Sequence, residues 1–295
     1  MNSRPFGQTG LHVSALGFGA MHLNDERVSE QDAGRLLNQV LDLGVTLIDT
    51  ARGYGLSEER IGRHLAHRRQ EFVLSTKVGY GIDGVPDWTY ACIVAGVEAA
   101  LWRMRCEVLD IVHLHSCPLE TLLQGEVIAA LEDCRRAGKL RVVAYSGDNA
   151  ALDWAIQSRR FGAAQTSISV CDQSNLAERL PALESAGMGV IAKRPLAGAV
   201  WRAATRPETH AEGAYWDRWQ AMGLEQALPQ SDWNELALRF TAHQPGLASS
   251  IVGTAKLTHL KQNLAIVAKG PLPVALERLV RDAFQHHAGL WHGLI

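Results

Sequence analysis

No stretch of this chain reaches about 18 uninterrupted apolar residues, so a membrane-spanning helix is not expected. No run of Lys and Arg could track a phosphate backbone. The formal charge is −2, from 29 basic and 31 acidic residues. Nucleic acid and anionic membrane are therefore not expected partners. The opening Met1-Asn2-Ser3-Arg4-Pro5-Phe6 lacks the apolar core of a signal peptide. Cysteine is sparse. Cys92, Cys106, Cys117, Cys134 and Cys171 are odd in number, widely scattered and without a Cys-x-x-Cys pair. A reduced, cytoplasmic compartment is the simplest expectation.

What the chain does have is a large apolar fraction, 47% of 295 residues, enough to bury a sizeable core. Gln8-Thr9-Gly10-Leu11 reads as a tight turn, so a β-hairpin opens the chain. Val13 to Met21 reads as a first strand with a glycine-rich end. Ser29 is the N-cap of a helix carrying Ala33, Leu36, Leu37, Val40 and Leu41 on one face. Strand-like and helix-like segments then alternate. Strands end at Asp49, Lys77, His115, Ser146, Ile168, Lys193 and Val252; helices are expected over 57–68, 89–105, 150–159, 176–186, 231–243 and 256–268. Eight β/α units fill residues 1–295 as a single (β/α)8 TIM barrel domain. One stretch, 198–230, breaks the rhythm with Trp201, Tyr215, Trp216 and Trp219. It is either a wall of a substrate pocket or a surface excursion with buried aromatic anchors.

Four ionisable residues sit at or just past successive strand ends: Asp49 and Tyr54, then Lys77, then His115. In a (β/α)8 barrel those ends share one rim. A tyrosine titrates near about 10 and is a weak acid at neutral pH. A buried ammonium beside it favours the phenolate, and a carboxylate on the far side keeps the ammonium charged. Asp49, Lys77 and Tyr54 can form that relay, and His115 can orient the oxygen that receives the proton. Such a site protonates an alkoxide as it forms, or deprotonates an alcohol in reverse. The missing partner is a hydride donor, which points to a nicotinamide cofactor. Taken singly, Asp49 is a turn cap and Tyr54 a packing residue; their joint placement carries the reading.

At these residues the sequence resembles the aldo-keto reductase family. Asp49-Thr50-Ala51-Arg52-Gly53-Tyr54-Gly55, Ser75-Thr76-Lys77-Val78-Gly79 and Asp110-Ile111-Val112-His113-Leu114-His115 match its tyrosine, lysine and histidine segments, and Thr9-Gly10-Leu11-x-Val13-Ser14 matches its opening. The resemblance implies a barrel that takes the 4-pro-R hydride of NADPH. Tyr54 is then the general acid/base, tuned by Lys77 and Asp49, with His115 positioning the carbonyl. It implies a cofactor set as well. Ala20, Met21 and Asp49 lie near the reacting end. Ser146 and Gln165 grip the carboxamide, and Lys193, Arg194 and Leu196 line the pyrophosphate. Gly253, Thr254, Lys256, His259, Gln262 and Asn263 hold the adenosine and its 2′-phosphate. There are departures from the family pattern. His259 stands where an arginine often clamps the 2′-phosphate, Gln262 where an acid often meets adenine, and Gly147-Asp148 follows Ser146 where asparagine is usual. The expected cofactor is NADP(H), with NAD(H) as the alternative. The expected substrate is a small carbonyl compound or alcohol, which Trp88, Trp201, Trp216 or the tail residue Trp291 would wall.

Two rival readings are weighed against this one. His113-x-His115 on one strand face can ligate zinc in a metal-dependent hydrolase, but the later strand ends supply no further ligands. A reductase-like barrel can also bind nicotinamide as a regulatory or redox-sensing subunit, although all four chemical positions are filled. His286, His287 and His292 read as a tail rather than a metal cluster. Arg60, Arg63, His64, His67, Arg68 and Arg69 read as a solvated helix face.

Overall fold

The structure is a computed structural model that describes residues 3–24, 28–177, 179–287, 289 and 291–294. β1 (Ser3–Pro5) pairs antiparallel with β2 (His12–Ser14), Arg4 opposite Val13. The expected turn joins them, with Gly10 at φ 77°. Eight parallel strands follow: β3 (Leu16–Gly19), β4 (Leu47–Asp49), β5 (Val73–Val78), β6 (Leu109–His115), β7 (Leu140–Ser146), β8 (Ala163–Ser167), β9 (Gly189–Lys193) and β10 (Ser249–Gly253). They pair in chain order, and β10 returns to β3 to close the barrel. Helices pack outside, among them Glu30–Asp42, Ser57–Leu65, Tyr90–Met104, Glu126–Arg136, Trp233–Ala242 and Leu257–Ala268. Ser29 caps the first as expected, accepting from Asp32 N.

The strand alternation sets the interior in layers. Leu47, Val73, Ile111, Val142, Ala163 and Ile191 form an apolar cluster with Phe6 and Val13 of the hairpin, which plugs the N-terminal end. Two and four residues further along each strand come Asp49, then Ser75 and Lys77, then His113 and His115, Ala144 and Ser146, Gln165 and Ser167, and Lys193. The barrel is thus apolar at its base and polar at its C-terminal rim. Intervening residues such as Leu74, Val112, Leu114 and Val143 face the helices and join the main core.

Some expected elements differ. Val13–Met21 is not one strand. Ser14, opposite Ser3, ends β2, and the chain bends at Ala15: Ser14 Oγ donates to Leu16 O and accepts from Thr46 N, Ser14 N donates to Thr46 Oγ1, and β3 begins at Leu16. Ala20 and Met21 open a 3-10 turn. The 176–186 helix shortens to Arg179–Ser185. The interrupted stretch contains the helix His210–Met222, and a further helix, Val274–Gln285, follows the last barrel unit. The basic run Arg60–Arg69, which spans Ser57–Leu65 and the 3-10 segment Ala66–Glu71, is not uniformly solvated: Arg60 is buried and donates to the carbonyls of Leu23 and Val28.

Candidate active site

β4, β5 and β6 are neighbours, with Asp49 beside Ser75 and Lys77 beside His113 in register. Their side chains therefore meet inside the rim. Lys77 Nζ donates to Asp49 Oδ2 at 2.6 Å and to the Thr50 carbonyl at 2.8 Å, and both side chains are only 2% exposed. Burial alone would lower the Lys77 pKa; the Asp49 carboxylate and Tyr54 outweigh it, and the net direction is up. The remaining Asp49 oxygen accepts from Ser75 Oγ at 2.9 Å. Ser75 lies 3.1 Å from His113 Nε2, whose Nδ1 is 3.3 Å from the Tyr145 carbonyl. His113 thus shares a face with His115, as a His-x-His pair must, but it is buried, with its two nitrogens against Ser75 Oγ and the Tyr145 carbonyl.

Tyr54 comes from the tight turn after β4, closed by Tyr54 N to Ala51 O and Ser57 N to Tyr54 O. Its ring centroid is 5.1 Å from Lys77 Nζ and 5.9 Å from the His115 ring, edge to face. His115 is pushed down to about 3, first by burial and then by the charge of Lys77, so its imidazole is neutral at physiological pH.

One cavity of about 540 Å³ is lined by Asp49, Tyr54, Lys77 and His115. It also takes in Met21, Ser146, Gln165, Lys193, Arg194, Leu196 and Gly253 from the expected cofactor set. A larger cavity, about 840 Å³, lies at the opposite end of the barrel between Arg69, Trp102 and Arg141 and contains none of the four. Ala20 is not in the rim cavity; it is fully buried and its carbonyl accepts from Ser57 Oγ. Thr254, Lys256, His259, Gln262 and Asn263 form a second locus, running from the end of β10 into Leu257–Ala268. There Asn263 is buried and Lys256, His259 and Gln262 are exposed. Thr254 Oγ1 accepts from Lys256 N and lies 3.5 Å from His259 Nδ1.

The interrupted stretch contributes Gly198, Ala199, Glu212 and Tyr215 to the cavity wall. The tryptophans do not line it. Trp201 packs on Trp219 and Trp219 on Trp233, and Trp216 donates to the Ala203 carbonyl. They anchor the segment. Trp88 packs behind Tyr80. Trp291 stacks on His287 beneath Arg218, although its near neighbour Leu294 reaches the rim through its carbonyl, which accepts from Arg194 Nη1 at 2.7 Å.

Across the rim lies a second ion pair, its aspartate buried, that the sequence reading did not single out. Lys193 Nζ is 2.9 Å from Asp148 Oδ2. Asp148 also accepts from Thr166 Oγ1, Ser167 N and Asn175 Nδ2. Burial lowers the Lys193 pKa and Asp148 does not restore it. The buried Gln165 Nε2 has no hydrogen-bond partner, while Ser146 Oγ donates to Gln165 Oε1. Among the described residues, no group of three or more His, Cys, Asp or Glu could hold a metal ion, and no helix is long and apolar enough to cross a membrane.

A closed parallel barrel with a charge-supported tyrosine at its C-terminal rim places the molecule among the TIM-barrel oxidoreductases. More particularly, the chain matches the Aldo/keto reductase family over residues 15–275 and belongs to it. It is 28% identical over 283 residues to L-galactose dehydrogenase of Arabidopsis thaliana, covering 90% of this chain and 88% of that one. It is 28% identical over 319 residues to the oxidoreductase YrpG of Bacillus subtilis, covering 96% of each. The holo form of the aldo-keto reductase AKR11C1 from Bacillus halodurans superposes with a TM-score of 0.83 at 26% identity, covering 96% of both chains. The family generally uses nicotinamide cofactors and acts on small carbonyl compounds.

Proposed function

We propose that the protein reduces a small aldehyde or ketone with NADP(H), or oxidises the corresponding alcohol. The observation that carries this reading is the Asp49–Lys77 pair, dry and 2.6 Å long, set against Tyr54 in the cavity that also holds His115. Tyr54 gives its hydroxyl proton to the substrate oxygen as negative charge builds there. Lys77 stabilises the phenolate left behind, and Asp49 keeps Lys77 charged in a site without bulk water. Neutral His115 donates a hydrogen bond to the same oxygen. The residues of the rim fit a nicotinamide: Gln165 Nε2 is a buried donor without a partner, beside Ser146, and suits a carboxamide oxygen. When bound, the nicotinamide supplies the hydride.

Gly253 and Thr254, followed by Lys256 and His259 at the start of Leu257–Ala268, would hold the adenosine end, with Asn263 meeting adenine. Lys256 and Lys261 supply positive charge for a 2′-phosphate, which favours NADPH over NADH. The test is NADPH absorbance followed over a panel of aldehydes and ketones, with NADH in parallel. Turnover with wild-type enzyme, lost in Tyr54→Phe with NADPH binding intact, is the expected result. Tight NADPH binding with no turnover across the panel would make the protein a nicotinamide-binding sensor instead, and a large NADH advantage would reverse the cofactor preference.

A further inference from the structure

β5 ends at Val78 and runs into Gly79-Tyr80-Gly81, whose glycines have φ of 145° and 76°. The turn throws Tyr80 behind His115. Its hydroxyl lies 2.7 Å from His115 Nδ1. Its ring stacks on the imidazole at 5.5 Å and 24°. Trp88 backs Tyr80 edge-on at 5.9 Å. The space is shaped by glycines: a Cβ on Gly79 would fall 2.2 Å from the Trp88 ring, and one on Gly53 would fall 3.4 Å from the Tyr80 hydroxyl. Tyr80 does not line the cavity, whereas His115 does.

A neutral imidazole carries one N–H, and the bond made by one nitrogen decides which nitrogen bears it. We propose that Tyr80 is a positioning residue: its hydroxyl donates to His115 Nδ1, holds the ring in the Nε2–H tautomer and fixes its plane, so that Nε2–H is presented to the substrate oxygen. This rests on the carbonyl-reduction reading above. Two observations favour the donor direction. Tyr80 keeps its proton, because burial and then the neighbouring Tyr54 raise its pKa. Nε2–H is also the form that can donate to a carbonyl or alkoxide; with the proton on Nδ1, a lone pair would face that oxygen.

The test uses the full chain with Tyr80→Phe, which keeps the stacked ring and removes the hydroxyl. In substrate-free protein with 15N-labelled histidine, the His115 signals are identified by their loss in His115→Asn. The wild type is expected to show a neutral ring protonated on Nε2, with the Nδ1 shift moving in Tyr80→Phe. In turnover, kcat falls about fivefold to tenfold, as for the loss of one neutral hydrogen bond, while NADPH affinity is unchanged. In the His115→Asn background, Tyr80→Phe adds no further loss. A wild-type ring protonated on Nδ1, His115 signals indifferent to Tyr80→Phe, or an equal loss of kcat without His115 would each overturn the proposal. The tautomer readout needs no substrate, so a protein that fails to turn over any carbonyl refutes the functional reading and leaves this one to be decided by the spectra.

Discussion

The rim carries two lysine–aspartate pairs of similar length, 2.6 Å for Lys77–Asp49 and 2.9 Å for Lys193–Asp148, and they behave in opposite ways. The Lys77 side chain is 2% exposed and the Lys193 side chain 14%. The Lys77 pKa is raised and the Lys193 pKa is lowered. The difference lies in what else each charge meets. Asp49 has Ser75 as its other side-chain partner, and Tyr54 adds to its pull on Lys77. Asp148 divides its field among Thr166, Ser167 and Asn175 as well, and Arg194 stands beside Lys193 as a like charge. A buried ion pair is therefore not a unit of fixed meaning. One is built to keep a cation beside a phenol. The other is a network that ties β8 and β9 to the loop after β7.

The broadest way to break this contrast is to remove each cation. Lys77→Met should cut turnover by about 10²- to 10⁴-fold, the range of a lost acid/base function, while Lys193→Met should cost about tenfold or less through cofactor placement. Equal losses in kcat would erase the distinction. Stability should divide the same way. Lys77→Met leaves Asp49 buried with Ser75 as its one remaining side-chain donor and should cost about 3–5 kcal/mol, as for a broken buried pair. Lys193→Met leaves Asp148 with three kinds of donor and should cost about 1–2 kcal/mol. Urea denaturation of the two variants, read at equal slope, checks both figures.

How much of this was legible depended on whether a feature repeats along the chain. The barrel was readable because strand-like and helix-like segments alternate along the chain and three successive strands carry Asp49, Lys77 and His115 at their ends, and with Tyr54 these do meet in one cavity. Ser75 carried a signal that was passed over: it lies two residues before Lys77, on the same strand face. The helix Val274–Gln285 carried one too, with Pro273 at its start and Leu276, Val280 and Phe284 at helical spacing. Asp148 showed only as a departure from the family pattern, with nothing to pair it with Lys193, and Tyr80 carried none. Each matters through a residue far along the chain, Lys193 or His115, and no local pattern announces such a meeting. The tryptophans misled for a related reason: composition marks them as wall or anchor alike, and only packing assigns them to anchoring.

Acid should sharpen the contrast further, because the two halves respond with opposite signs. His113 and His115 are both pushed down to about 3, by burial first and then by Lys77. Their contribution is complete above the unfolded value near about 6.5 and is lost as pH falls toward about 3, at up to about 1.4 kcal/mol per pH unit for each group. On the other side, Asp172 is pushed up to about 6 by burial, against the pull of Arg218. A carboxyl raised in the folded state favours folding as it protonates, so it offsets part of the loss between about 6 and 4. Asp172→Asn should steepen the fall in stability over that window and His113→Gln should flatten it. The reverse order would mean that the two networks are not independent.

The smallest expected effect concerns alkaline pH and the cofactor. Lys193 and Arg194 both line the cavity, where the family resemblance implies the pyrophosphate. Because burial lowers the Lys193 pKa, its charge is lost at a lower pH than an exposed lysine's, and attraction for an anion weakens with it. Lys77, shifted the other way, stays charged through the same range. NADPH dissociation constants measured by fluorescence should therefore rise a few-fold on the alkaline side, at a pH below the ordinary lysine value of about 10.4, the loss of one charge at a partly screened site. Lys193→Met should bind more weakly at neutral pH with little further change as pH rises, and Lys77→Met should retain the wild-type pH dependence. If Lys77→Met flattens the profile instead, the titrating cation is the one under Tyr54, and the division of labour between the two pairs is drawn in the wrong place.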